Sequence, residues 1–464
     1  MTVTTRISGG DVVTPSGTVR ADVLIGDDGT IAGLVSPGTT IGDDATDIDA
    51  TGRLVLPGMV DVHVHTREPG YTHKEDITTT TEQAAVGGVT TIFGMPNLDP
   101  PTTDRKTLDE VLALYAEKSI VDYNHNPAPT NFDDIASMAE AGINAYKIYM
   151  VVDTGRTYPH PAGTGMHDHG HLLQMMDLIK PTGKRFIIHP HDQALMDYIE
   201  GEVLARGDNT PQGYAGAYAA RDGVIWDTAI DVVLRLSEAS GCPIHIAHMQ
   251  TRRSIDAVRR AKARGVDVTG EVNHWALFLS TWSDVETLGP YALSYWVPDD
   301  HRAAVWEGLL DGTIDVISSD HAPHTREEKE IGWTKMWSAH TGTPGIQYYY
   351  PLLLDAVRQG RIPLERAVEA AARRPADAFG LAGVKGRIEV GYDADLVIAN
   401  LDSPWTITND DVLSRVGWTP YDGRSIGVRF ERTLVRGADV FAGGAVVGKP
   451  GHGRLATAHN SEGR

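Results

Sequence analysis

Between residues 60 and 320 the chain alternates short β-branched runs with helical stretches, and no other feature limits its fold as much. VDVHVH (60–65), VTTIFGM (89–95), VDYNH (121–125), AYKIYM (145–150), RFIIHPH (185–191), PIHIAHM (243–249), VDVTGEV (266–272) and TIDVISSD (313–320) read as strands. The stretches between them are helical, as in SIDAVRRAKARG (254–265), where Ile255, Val258 and Ala261 recur at helical spacing and Gly265 stops the run. About eight strands with helical crossovers predict an α/β fold, a (β/α)8 barrel of the TIM type; a doubly wound open sheet is the alternative.

The 464 residues exceed one ordinary core and suit a large barrel plus a smaller domain. Residues 1–56 hold short β-like runs such as ADVLIGDDGTIAGLV, and the texture returns in GRIEVGYDADLVIAN (386–400) and RTLVRGADVFAGGAVVG (432–448). Neither end has strands enough for a stable sheet of its own. The expected division is therefore 1–56 and 385–464 as two parts of one small β-sandwich, with 57–384 as the catalytic barrel. The polar tail from Lys449 is expected to be loose or draped over a neighbouring element.

Hydrophobic residues at 41% and charged residues at 22% describe a soluble globular chain. A net charge of −21 argues against nucleic acid or an anionic membrane as partner, so an anionic small substrate would need a local positive site. Cys242 is the only cysteine, which excludes an intrachain disulfide and fits a cytoplasmic location. The N-terminal MTVTTRISGGDVV has no apolar core of a signal peptide, and no run reaches membrane-spanning length.

Residues two apart on a strand point to the same side, so His63 and His65 project together, and Pro69-Gly70 ends the run beyond them. At the C-terminal mouth of a barrel two such imidazoles can grip a divalent metal; alone, they are more often two polar residues on a half-exposed strand. His189, His248 and Asp320 also fall where apolar runs stop. Four imidazoles and a carboxylate converging on one rim point to metal. Lys147 in AYKIYM faces away from Tyr146 and Ile148, into the barrel, where an unpaired ammonium is costly. It either reaches solvent or a carboxylate, or has reacted with CO2 to give a carbamate, an anionic ligand able to bridge two metals.

GMVDVHVHTREPG, KEDITTTTEQAAVGGVTTIFGMPN, AYKIYM, SSDHAPHTREEK and GTPGIQ together resemble the dihydroorotases, which stand with hydantoinases and allantoinases among the cyclic amidohydrolases. The likeness runs over nearly the whole chain, through RRPADAFGL (373–381) and KGRIEVGYDADLVI (385–398). It implies two divalent ions, zinc above all, with His63, His65, carboxylated Lys147 and Asp320 around one and Lys147, His189 and His248 around the other. It implies reversible hydrolysis of L-dihydroorotate to N-carbamoyl-L-aspartate by a metal-bridging hydroxide, with Asp320 as catalytic proton carrier. By the same resemblance Arg67, Asn97 and His324 hold the substrate carboxylate; from the residues alone, Arg67 could equally pair with Glu68 or Glu75. The resemblance also suggests a homodimer or homotetramer.

Three features depart from the dihydroorotase pattern: HPHD places His191 where the family has glutamate, EVNHWALFLS sets His274 out of step, and GRTYPHPAGTGMHDHGH (155–171) is unusually rich in histidine. That last segment is either a solvated loop or a lid touching substrate or a further metal. These departures keep open another cyclic amide, ureide or imide as substrate. A catalytically silent scaffold is the alternative of a different class, but such relatives lose ligands, and here all six remain.

Overall fold

The computed structural model describes residues 2–40, 45–152, 161–293 and 299–458. All eight expected strands form: β1 (Met59–Val64), β2 (Val89–Gly94), β3 (Asp122–His125), β4 (Ala145–Tyr149), β5 (Arg185–His189), β6 (Ile244–Ile246), β7 (Val268–Val272) and β8 (Val316–Ile317). β1–β3 and β4–β8 pair in parallel as two ladders in chain order. Lys147 N donates to Pro127 O at 3.0 Å across one gap, and His65 N to His321 O at 2.8 Å across the other, which closes the barrel. The open-sheet alternative is thereby excluded.

The helices start and stop on local signals. The 254–265 pattern becomes the helix Arg252–Ala263, begun by the Thr251 side chain accepting from Ser254 N and ended before Gly265 at φ +85°. Its Ile255, Val258 and Ala261 are buried against the barrel. Tyr146 and Ile148 of β4 join the core between strands and helices, whereas Ala145 joins a second cluster inside the barrel with Val60, Phe93 and Phe379. Lys147 shares the inward face, as strand alternation requires.

The two chain ends combine as expected, and the expected sandwich takes the form of one continuous nine-stranded sheet around its own apolar core, including Ile7, Val23, Val55 and Leu396. Leu54–Pro57 and Leu396–Asn400 pair antiparallel at its centre, beside the proposed divisions at 56/57 and 384/385. Residues 405–426 lie off this sheet: a small Trp405–Thr406/Ser425–Ile426 ladder carries a loop towards the barrel mouth. The tail is not loose as far as residue 458. Leu455 bridges Tyr123 of β3, whose free backbone groups the tail satisfies: Tyr123 N donates to Arg454 O at 3.0 Å and Tyr123 O accepts from Ala456 N at 2.7 Å, while the side-chain amides of Asn124 and Asn144 donate to Ala456 O. No helix among the described residues is long and apolar enough to cross a membrane.

Sheet and barrel are joined by a buried ion cluster. Lys385 contacts Asp122 of β3, Asp393 at 3.0 Å and Asp395 at 2.7 Å, and Arg436 also reaches Asp122. Removing the central cation leaves buried carboxylates without their partner, which costs about 3–5 kcal/mol. Lys385→Met should lose that much stability in urea denaturation; a loss below about 1 kcal/mol, typical of an exposed pair, would show that the cluster does not join the two parts.

Candidate metal centre

At the C-terminal ends of the barrel strands, imidazole nitrogens and carboxylate oxygens converge. Asp320 Oδ1 lies 3.3 Å from His63 Nε2 and 3.3 Å from His65 Nε2, and Asp320 Oδ2 lies 3.6 Å from His248 Nδ1. The His63 and His248 rings are 4.9 Å apart, as are those of His248 and His189. Lys147 is completely buried nearby, its Nζ 5.0 Å from the Tyr149 ring centroid, with no hydrogen-bond partner among the described residues. The predicted ligand residues therefore share one region, although β1 is not regular: its pairing slips between Asp61 and Val64.

Outer partners fix the imidazoles. His63 Nδ1 donates to Glu271 Oε1 at 2.6 Å, His65 Nδ1 to Asn97 Oδ1 at 2.8 Å and His248 Nδ1 to Asn273 Oδ1 at 2.8 Å. With the ring proton on Nδ1, each Nε2 carries a lone pair. His63 Nε2 and His65 Nε2 then face Asp320 Oδ1 as acceptor against acceptor, a repulsive contact that a cation between them turns attractive. Burial pushes His65 down to about 3 and His248 to about 4, so both rings are neutral near pH 7. Burial by itself raises the Asp320 carboxyl, and positive charge beside it, on the rings of His63 and His248 or on a bound cation, lowers it. Burial also lowers the Lys147 ammonium to about 8, against the pull of Glu271 and Asp320. The donor set fits divalent metal: His63, His65 and Asp320 offer atoms within 4.8 Å of one another, as do His63, His248 and Glu271.

Backbone strain marks the same place. Arg67, His248 and Asp320 have φ of +60°, +57° and +46°, the left-handed region where a side chain costs on the order of 1 kcal/mol or more. Each ends or follows a strand and turns its side chain towards the rim.

Arg67 is 3% exposed; its Nε donates to Pro323 O at 3.2 Å, and Nη2 is 3.1 Å from His324 Nε2. It does not pair with Glu68 or Glu75: Glu68 contacts Lys118, and Glu75 accepts from Gln83 at 2.8 Å. Asn97 also has a task that its motif did not disclose, the orientation of His65.

Several contributors escaped the sequence reading. Glu271 is wholly buried between His63 and His245, whose Nε2 donates to Oε2 at 3.1 Å. The one available signal was a carboxylate inside a buried strand run, VDVTGEV. Trp275 Nε1 approaches Asp320 Oδ2 at 3.4 Å. From the loop within 405–426, Trp418 Nε1 donates to His324 O at 2.8 Å and Tyr421 OH lies 2.5 Å from His274 Nδ1. His274 also has Nε2 3.3 Å from Thr343 Oγ1, so its ring bridges barrel and loop. His191 stacks 6.1 Å from His189, with Trp226 at its edge. Of the histidine-rich segment, 155–160 lie outside the described residues; His167, His169 and His171 are exposed and belong to no ligand group among the described residues.

The amidohydrolase family profile matches residues 54–420, and the chain belongs to that family. It is 35% identical over 419 residues to a dihydroorotase of Methanosarcina mazei, covering 88% of each chain. It is 31% identical over 464 residues to an L-hydantoinase of Paenarthrobacter aurescens, covering 97% of each. The solved L-hydantoinase (dihydropyrimidinase) from Arthrobacter aurescens superposes with a TM-score of 0.93 at 29% identity, covering 98% of this chain and all of that one.

Glu271→Gln tests the outer support of the centre. It keeps the shape but removes the charge that holds the His63 and His245 protons, so affinity for divalent metal should fall about 10–100-fold, the usual effect of losing such a partner. Metal titration of the apoprotein reads this directly; unchanged affinity would mean that Glu271 does not orient a ligand.

Proposed function

We propose that the chain is a metal-dependent cyclic amidohydrolase of the dihydroorotase type, interconverting L-dihydroorotate and N-carbamoyl-L-aspartate. The observation that carries this reading is Arg67: a guanidinium buried at the rim with no carboxylate partner among the described residues. A buried charge of that kind calls for an opposite charge, and a ring carboxylate supplies it in the geometry that the planar fork prefers. His324 Nε2 stands beside it, and Asn97 lies one step away on His65.

The residues proposed to hold two divalent ions, zinc first among them, are His63, His65, His189, His248, Asp320 and Lys147. For Lys147 the reading is a carbamate: the neutral amine adds CO2, an N–C bond forms and one proton leaves. Burial favours this by keeping a share of the amine neutral near pH 7. Bound divalent ions supply acidification of water and polarisation of the ring carbonyl. Asp320 takes a proton from the attacking water and returns it to the ring nitrogen as the C–N bond breaks. Positive charge beside it keeps it a carboxylate at neutral pH, able to accept that proton. His65 Nε2 and His63 Nε2 lie 3.3 Å from one oxygen of this carboxylate, and Trp275 Nε1 approaches the other at 3.4 Å.

Hydrolysis of a hydantoin-type ring is the second reading, favoured by the likeness to an L-hydantoinase over 97% of both chains. A panel of rings with and without a carboxylate separates the two. Under the first reading dihydroorotate is turned over well above dihydrouracil or hydantoin. Arg67→Ala should cost about 2–5 kcal/mol for the anionic ring, the range for breaking a buried charged pair. That is a fall in kcat/KM of roughly 30-fold or more, with metal retained and neutral rings much less affected. Wild-type protein that ignores dihydroorotate and opens neutral rings would overturn this assignment.

A further inference from the structure

His324 is completely buried, and both of its ring nitrogens meet hydrogen-bond donors. Nε2 is 3.1 Å from Arg67 Nη2, and Nδ1 is 3.3 Å from Lys74 Nζ. One carboxylate competes: Glu328 Oε2 lies 3.5 Å from the same Nδ1, while Glu328 Oε1 is 2.7 Å from Lys74 Nζ. On the far side His340 stacks on the ring at 4.9 Å, its Nε2 3.6 Å from Glu328 Oε1. Lys329 directs its ammonium at two backbone carbonyls, His340 O at 2.9 Å and Gly342 O at 2.8 Å.

His324, Glu328 and His340 have the donor types and spacing of a metal site, but the Lys74 ammonium stands at the Glu328 oxygen that a metal would take. The cluster instead controls the proton of one ring. A neutral imidazole carries a single N–H, so His324 has two states. With the proton on Nδ1 it donates towards Glu328, and Nε2 accepts from Arg67, which ties the guanidinium to the ring. With the proton on Nε2, Nδ1 accepts from Lys74, and His324 and Arg67 are both donors to a shared anion. Burial, together with the cations Arg67, Lys74 and Lys329, keeps the ring from gaining a second proton.

We propose that Lys74 is a positioning residue for anionic rings: its ammonium holds His324 in the Nε2–H tautomer, so that His324 and Arg67 donate together to the ring carboxylate, while Glu328 holds the opposite tautomer when no anion is bound. The exchange moves one proton from Nδ1 to Nε2 and leaves the ring neutral. This rests on the ring-carboxylate reading of the site and adds to it the group that sets its donors.

The test is calorimetric binding of orotate, a planar ring carboxylate, to metal-loaded protein. Lys74→Met should bind orotate about tenfold or more weakly, the effect of losing a hydrogen bond from a charged donor, with metal content unchanged. Lys74→Arg should recover part of the loss, and Glu328→Gln should bind at least as tightly as wild type. In the wild-type orotate complex, 15N shifts of His324 should report a protonated Nε2 and a bare Nδ1. Equal orotate affinity in wild type and Lys74→Met, or the reverse tautomer in the complex, overturns the role of Lys74 and leaves that of Arg67 standing. Failure of wild-type protein to bind orotate overturns the ring-carboxylate reading and the role of Lys74 with it.

Discussion

The carboxylate of Glu271, shut away from solvent between His63 and His245, sets the terms for the rest of the centre. A buried carboxylate is costly unless donors surround it, and two imidazole N–H groups meet that cost. The same bonds dictate which nitrogen of His63 keeps its proton, and so where its lone pair points. Asn97 and Asn273 do this for His65 and His248 with neutral amides. Three rings are thus aligned before any ligand arrives, and the strained backbone at Arg67, His248 and Asp320 is the conformational cost of that alignment.

Two electrostatic zones adjoin at the rim. On one side lone pairs of His63, His65 and Asp320 face one another and favour cations. On the other Arg67, Lys74 and Lys329 crowd around His324 with Glu328 as the carboxylate at the ring. A chain of net charge −21 repels anions at long range, so affinity for an anionic ring must come from this small positive zone. A cation-loving pocket beside an anion-loving one suits a substrate with a polarisable carbonyl at one end and a carboxylate at the other.

Much of this was legible in the sequence because it is local. Strand and helix periodicity marks the eight strands, and His63, His65, His189, His248 and Asp320 all stand where an apolar run ends, which in a barrel is the mouth. Lys147 was legible as a cation on an inward strand face. What escaped reading depends on contacts between distant positions. Nothing near Trp418 or Tyr421 announces that they reach His324 and His274 across 94 and 147 positions. Asn97 sits in a motif that suggested substrate alone, yet its oxygen is held by His65. Glu271 carries a weak local signal, and only the closed barrel shows that two histidines from different strands share it. The polar composition of the tail leaves open whether it is loose or draped over a neighbouring element; the backbone groups of β3 need partners and find them there, so it drapes.

The central proposal is that Lys147, buried and without a hydrogen-bond partner among the described residues, carries the carbamate that makes it the anionic link of a metal centre. Protein loaded with divalent metal in 13C-bicarbonate should show one slowly exchanging carbamate carbon resonance, absent from Lys147→Ala, and should bind two metal ions per chain. Full metal occupancy with no labelled carbon on Lys147 would contradict the account.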